Sequence, residues 1–323
     1  MKDSYGREIN YLRLSVTDRC NFRCRYCMPE AGIEKISHDE ILSFEEIARL
    51  IRAAANLGVE KVRLTGGEPL ARRELPRLVE MIDGIEGIKD LSMTTNGSRL
   101  SELAEELADA GLDRVNISLD SVHPETFSEI TRGGDLNGVL AGIDAAKKAG
   151  LDPVKLNTVI MKGLNEAEIP DLVEFAVREE LVLRFIELMP MGEASGGAIE
   201  PLPLEEVREA VEEDWELKRA SGPKGNGPAR YFRAERDGLE GEIGFIFPIS
   251  ESFCAGCNRL RVTAQGTVRP CLARDEEYEL EIEDDTTVSE LEDRLSEIIK
   301  KKPYGHQWEE KSKTAGEMSE IGG

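Results

Sequence analysis

Up to about residue 190, short runs rich in β-branched and apolar residues alternate with longer stretches whose apolar positions recur at helical spacing. The runs 11–16, 60–65, 90–95, 114–119, 153–160 and 181–187 read as strands. Between them lie amphipathic stretches. The clearest is 43–57, where Ser43 and Glu46 have the spacing of a capping box and Gly58 follows the end. Another runs from 136 to 149 and stops at Gly150. Six strand–helix units in series predict an α/β fold with a parallel sheet and right-handed crossovers. Six is fewer than the eight that close a full barrel, so the expectation is an open or partial six-stranded βα barrel. In such sheets the chemistry sits at the carboxyl ends of the strands.

The pattern changes after the Gly- and Pro-rich segment 191–203, which reads as a linker or lid. Beyond it, 229–234 and 241–248 look like strands, 261–272 like a hairpin turning at Gln265-Gly266, and 287–302 like a helix. The expected division is a partial barrel over 1–195 and a smaller α+β region over 196–323 that closes its open side. Residues 274–297 carry twelve acids against two arginines, a solvated face rather than a site.

Charge narrows the function. The 323 residues carry a net charge of −23, which argues against wrapping duplex nucleic acid, since counterion release needs a basic face. Aromatic residues at 5% leave few stacking platforms for single strands. No apolar run approaches the roughly 20 residues that span a bilayer. The first residues lack the apolar stretch of a secretory signal, so a cytoplasmic protein without membrane partners is expected. Fifteen lysines and 26 arginines beneath 64 acids fit either a high-salt cytoplasm or an ordinary acidic protein.

Six cysteines in a chain expected in the cytoplasm do not suggest a disulfide framework. They fall into two sets of three: Cys20, Cys24 and Cys27 as C-x3-C-x2-C just after the first strand, and Cys254, Cys257 and Cys271 as C-x2-C-x13-C. The three histidines lie far from them in sequence, which leaves a mixed Cys/His metal site little support. Structural zinc takes four protein ligands, and neither set supplies a fourth. A four-iron cubane held by three thiolates leaves one iron open to an outside ligand. One zinc shared across both sets, or buried structural thiols, are the competing readings, but neither explains the tight first spacing.

Four strands each carry a cation between apolar neighbours: Arg13, Arg63, Lys155 and Arg184. Strands covered on both faces are expected to be apolar throughout, and a buried unpaired cation costs several kcal/mol, roughly. Together the four predict a wet cavity for a small polyanion such as a nucleoside triphosphate. Taken singly, each fits equally an ion pair with Glu68, Asp120 or Glu187. Polar residues also gather at strand ends, among them Thr94, Asn96, Asn116, Ser118 and Asn157, where they orient a ligand or cap helices.

C-x3-C-x2-C with Tyr26 before the third cysteine resembles the radical S-adenosylmethionine (SAM) family, and Thr65-Gly66-Gly67-Glu68-Pro69 resembles that family's glycine-rich SAM-binding turn. With Phe253-Cys254-Ala255-Gly256-Cys257-Asn258-Arg259-Leu260-Arg261, Cys271 and the terminal Gly322-Gly323, nearly the full chain resembles the GTP 3′,8-cyclase family of molybdenum-cofactor biosynthesis. The resemblance implies two [4Fe-4S] clusters, one on Cys20, Cys24 and Cys27 that binds SAM, the other on Cys254, Cys257 and Cys271 that meets guanine. It implies SAM contacts at Tyr26, Gly67, Ser118 and Met189. It implies GTP contacts at Arg13, Arg63, Thr94, Lys155, Arg259, Leu260 and Arg261, and a catalytic di-glycine tail at Gly322 and Gly323. Arg184 is outside that set and keeps the ion-pair reading. Also implied are a low-potential electron donor and, downstream, cyclic pyranopterin monophosphate synthase; a homodimer is compatible. The alternatives are a radical SAM enzyme acting on a peptide or another small molecule, and a non-catalytic metal- or nucleic-acid-binding module built on the basic hairpin.

Overall fold

The computed structural model describes residues 1–197, 199–223, 227–306, 308 and 321. Six strands, β1 (Tyr11–Ser15), β2 (Lys61–Thr65), β3 (Asp90–Thr95), β4 (Arg114–Ser118), β5 (Lys155–Thr158) and β6 (Val182–Ile186), lie side by side in chain order, all parallel. The connections between them carry helices α1 (Phe44–Asn56), α2 (Leu75–Asp83), α3 (Leu100–Asp109), α4 (Pro124–Thr131), α5 (Leu136–Lys148) and α6 (Ile169–Arg178). Helix α1 starts where its capping box predicts: Ser43 accepts from the Glu46 amide while Glu46 reaches back to the Ser43 amide.

The later residues form α7 (Leu204–Glu212), β7 (Glu216–Ala220), β8 (Arg230–Arg236), β9 (Leu239–Ile246), β10 (Arg259–Val262), β11 (Thr267–Arg269), β12 (Tyr278–Glu279) and α8 (Val288–Lys300). These strands join the first sheet. The order is β12-β11-β10-β1-β2-β3-β4-β5-β6-β9-β8-β7, with β10 parallel to β1 and β9 parallel to β6. The parallel stretch therefore holds eight strands rather than the expected six, inside a mixed twelve-stranded sheet. The cause is the unpaired backbone that β1 and β6 present at the edges of a six-stranded run. Each edge is covered by one strand of a later antiparallel hairpin, β10 with β11 and β8 with β9. The 216–220 strand, reading Glu-Leu-Lys-Arg-Ala and largely exposed, gave no hydrophobic signal in the sequence.

The register explains the strand cations. Arg13 lies between Arg63 and Arg261, Arg63 is opposite Ser92, Ser92 opposite Arg114, Asn116 opposite Lys155, and Asn157 opposite Arg184. Because side chains alternate along a strand, all of these share one face. The intervening residues, including Leu12, Leu14, Val62, Leu64, Met93, Val115, Ile117 and Leu183, are fully buried in a core shared with helix residues such as Ile47, Leu50, Val79 and Leu172. One face of the sheet is thus a conventional apolar interface with helices, and the other is polar.

Candidate functional site

The polar face opens into a cavity of about 210 Å³. Arg13, Arg63, Lys155 and Arg184 all line it, as do Arg259 and Arg261 from β10. Three more cations, which sequence reasoning missed, join them: Lys61 and Arg114 at the starts of β2 and β4, and Lys302 after α8. Among the described lining residues the only carboxylate is Asp90, which pairs with Arg114 at 2.6 Å and Lys61 at 3.8 Å. Among the described lining residues, nine lysine and arginine side chains thus share the cavity with one carboxylate.

The cations are held in defined positions. Arg63 Nε donates to Ser92 Oγ at 3.2 Å, and its guanidinium lies 5.5 Å from the Tyr11 ring centre. Arg259 sits 4.6 Å from the ring centre of Phe253. Arg184 donates to Asn116 Oδ1 at 2.7 Å and Asn157 Oδ1 at 2.6 Å. The expected ion pair at Arg184 is not what the structure contains: among the described residues its partners are neutral amides, and the side chain points into the cavity. Tyr231 of β8 also hydrogen-bonds Arg184 and lines the cavity. Its ring is gripped closely by Gly222 and Gly244, where an added Cβ would approach ring atoms to 2.1 Å and 2.9 Å.

Burial and mutual repulsion weaken the hold of these groups on their protons. Burial, then the charges of Arg184, Arg114 and Arg63, pulls Lys155 from 10.5 down to about 7. Burial chiefly, with Arg63 and Arg259 adding, lowers Arg13 to about 10. Both shifts have the sign expected of buried cations crowded together. The cavity is built to receive negative charge.

The second cysteine set forms one wall. Cys254 and Cys257 bracket a short 3-10 turn, and Cys271 follows β11; all three line the cavity. His306, remote in sequence, also lines the cavity; it follows Gly305, where an added Cβ would lie 3.8 Å from Cys254 Sγ. Burial would raise the Cys257 thiol, but Lys302 and Arg259 pull it down to about 7.

The first set lies in the loop beyond β1, outside that cavity's lining. Burial pushes Cys20 up to about 11 and Cys24 up as well, and buried Glu68 and Asp120 act in the same direction. Without a positive partner these surroundings keep Cys20 and Cys24 as neutral thiols; a metal cluster would supply the positive charge that thiolates need here. The loop is tied at its base by the glycine turn: Gly67 N–H donates to Thr17 O at 2.8 Å and Glu68 N–H to Arg19 O at 2.7 Å. A Cβ on Gly67 would stand 2.4 Å from Arg19 O, so glycine is required there by the protein's own backbone. Glu68 in turn accepts from Thr95 Oγ1 and the Asn96 amide, both at 2.6 Å, and Tyr26 Oη donates to Asp120 at 2.8 Å.

Among the remaining expected positions, Met189 lines the cavity. Thr94 and Ser118 lie on the polar face, opposite Asn116 and Asn157. Leu260 is in register with Leu12 and packs in the core, so only its backbone faces its neighbours on β10's polar side. Gly322 and Gly323 lie outside the described residues.

The Radical SAM superfamily pattern matches residues 14–176, and that of Molybdenum Cofactor Synthesis C matches 181–308. Curated proteins named GTP 3′,8-cyclase align over the whole chain and their own whole length, from Pelotomaculum thermopropionicum at 47% identity and Syntrophomonas wolfei at 46%. The chain belongs to the GTP 3′,8-cyclase family of radical SAM proteins. Among solved structures, Streptococcus suis SuiB bound to S-adenosylmethionine is similar in fold, with a TM-score of 0.63 at 16% identity. That alignment covers 86% of this chain and 64% of SuiB, so the chain spans somewhat under two thirds of that protein. At this identity the likeness concerns the radical SAM α/β fold alone. The two matched segments meet along one continuous sheet.

Proposed function

We propose that this chain is a GTP 3′,8-cyclase, which converts GTP to (8S)-3′,8-cyclo-7,8-dihydroguanosine 5′-triphosphate in the first step of molybdenum-cofactor biosynthesis. The observation that carries the reading is the cavity in which strand cations from β1, β2, β5 and β6 face the second cysteine set. A triphosphate meets the cations, and the base at the other end of the same molecule meets the wall that holds Cys254, Cys257 and Cys271.

Cys20, Cys24 and Cys27 hold one [4Fe-4S] cluster, and the second set holds the other. Held by Cys20, Cys24 and Cys27, the first cluster would supply one-electron reductive cleavage of SAM. The chain's own residues bind and orient. Arg13, Arg63, Lys155, Arg259 and Arg261 grip GTP, with Thr94 and the Leu260 backbone beside them, and Arg184 joins this group. Tyr26, Gly67, Ser118 and Met189 shape the SAM side. Holding the ribose against SAM and the base against the ribose is a proximity problem, so a firm phosphate grip serves rate as well as affinity. Gly322 and Gly323 complete the site as a thread of minimal bulk.

The division into a six-stranded partial barrel at 1–195 and a closing region at 196–323 belongs to this reading. It is supported by a cavity lined from both segments. A low-potential electron donor, a downstream cyclic pyranopterin monophosphate synthase and a cytoplasmic setting go with it; no described helix is long and apolar enough to cross a membrane. The test is anaerobic iron and sulfide analysis with electron paramagnetic resonance, then incubation with dithionite, SAM and GTP. About eight irons per chain, 5′-deoxyadenosine and a product isomeric with GTP are expected. SAM cleavage with untouched GTP would move the substrate, and zinc in place of iron would overturn the reading.

A further inference from the structure

The second cysteine set is enclosed by two buried cations that come from outside the segments carrying it. Arg7 donates from Nη1 to the Cys254 carbonyl at 2.8 Å and the Tyr304 carbonyl at 2.7 Å, and from Nη2 to the Pro303 carbonyl at 2.6 Å. Lys302, only 3% exposed, donates from Nζ to the Arg259 carbonyl at 2.8 Å and to the Pro270 carbonyl. Arg259 is two residues after Cys257, and Pro270 immediately precedes Cys271. Each cysteine is thus fixed through its own carbonyl or one within two residues of it.

The two cations differ in how their charge is met. Arg7 pairs with Asp3 at 2.7 Å. Lys302 meets two neutral carbonyls and, among the described residues, makes no ion pair with a carboxylate. A buried ammonium persists only where nearby negative charge offsets its desolvation. Lys302 Nζ is anchored on the carbonyl two residues after Cys257 and on the one just before Cys271, so negative charge held by that cysteine set lies beside it. The first set has the opposite surroundings, with buried Glu68 and Asp120 acting on Cys20 and Cys24. Reduction adds an electron to a cluster, so a neighbouring cation favours it and a neighbouring carboxylate opposes it; cluster potential follows local charge and hydrogen bonding.

We propose that Lys302 is a positioning residue for the second iron–sulfur cluster: its ammonium fixes the two carbonyls that set Cys257 and Cys271, and its charge makes that cluster easier to reduce than the first. The inference rests on the reading of Cys254, Cys257 and Cys271 as cluster ligands.

The test uses the full chain, reconstituted anaerobically, in two backgrounds. C20A/C24A/C27A isolates the second cluster, and C254A/C257A/C271A isolates the first. In each, Lys302→Gln, which keeps donors but loses the charge, and Lys302→Arg, which keeps the charge, are followed by iron content and by redox titration monitored with electron paramagnetic resonance. The expected result is that Lys302→Gln lowers the second cluster's reduction equilibrium about tenfold or more, a shift of about 59 mV for one electron. Lys302→Arg is expected to stay near the parent, and neither variant to move the first cluster. Iron uptake lost in Lys302→Gln but kept in Lys302→Arg would also support the proposal. An unchanged second-cluster potential in Lys302→Gln, an equal shift in both clusters, or iron lost in both variants would overturn it. If the C20A/C24A/C27A chain with Lys302 intact takes up no iron, the underlying reading of the second set fails, and the proposal with it.

Discussion

Lys155 is 4% exposed and shares its cavity with Arg184, Arg114 and Arg63, and burial together with those charges brings it to about 7. At pH 8, roughly one such group in ten carries its proton in the empty cavity. A bound triphosphate places negative charge beside it, which favours the charged form and moves the group back toward its ordinary 10.5. Binding GTP at pH 8 therefore takes up close to one proton, and affinity falls by up to about tenfold per pH unit above 7. The terminal phosphate, with a second pKa of about 6, has little proton left to exchange at that pH. Calorimetric titration of GTP at pH 8, in buffers of different ionisation enthalpy, reads the proton count directly. Lys155→Met is expected to bring it near zero. Stability of the unliganded protein runs the other way. Because the folded group loses its proton near 7 and the unfolded one near 10.5, the cost of charging it is relieved as pH rises between those values, and this contribution to stability increases. No proton uptake in the parent protein, or undiminished uptake in Lys155→Met, would refute the placement of Lys155 against the phosphates.

Arg184→Met removes a cavity cation whose partners are the neutral amides of Asn116 and Asn157, so GTP affinity is expected to fall tenfold or more while Tm changes little; calorimetry and thermal unfolding separate the two. Gly67→Ala drives a methyl against Arg19 O and Asp18 O, at 2.4 Å and 2.6 Å, and costs about 2–4 kcal/mol in denaturant unfolding through overpacking and weakened loop hydrogen bonds. Iron retention at the first set is expected to fall with it. Tyr26→Phe deprives buried Asp120 of a donor at 2.8 Å, an expected loss of about 1–3 kcal/mol, measured by the same unfolding assay.

Six of the strands, their parallel direction and the start of α1 were legible because each follows from local pattern: short apolar runs, crossover lengths and one capping box. The strand cations were legible for the opposite reason, since Arg13, Arg63, Lys155 and Arg184 each interrupt an apolar run. Lys61 and Arg114 line the same cavity but sit at strand starts, where a charged residue gives no signal. The attachment of β9 and β10 to the edges of the first sheet was not legible. Each reads locally as half of a hairpin, and the edge it pairs with lies far away in sequence. Lys302 was hidden in the same way: a lysine at the end of an acidic helix reads as solvated, and only the fold brings it onto the carbonyls of Arg259 and Pro270. For Arg184 the expected ion pair is not found among the described residues; its amide partners are neutral and could not be chosen from sequence.

The segregation of charge gives these details a common sense. The chain as a whole carries −23, yet the cavity collects cations around a single described carboxylate, Asp90. Burial first, and mutual repulsion after it, depress the affinity of Arg13, Arg184 and Lys155 for protons, and an entering anion opposes both effects. The acidic exterior meanwhile repels polyanions over the screening length of about 8–10 Å at ordinary salt. Salt weakens that outer repulsion readily and the buried attraction much less. Phosphate is thus disfavoured across most of the surface and favoured at one place, the cavity walled by the second cysteine set.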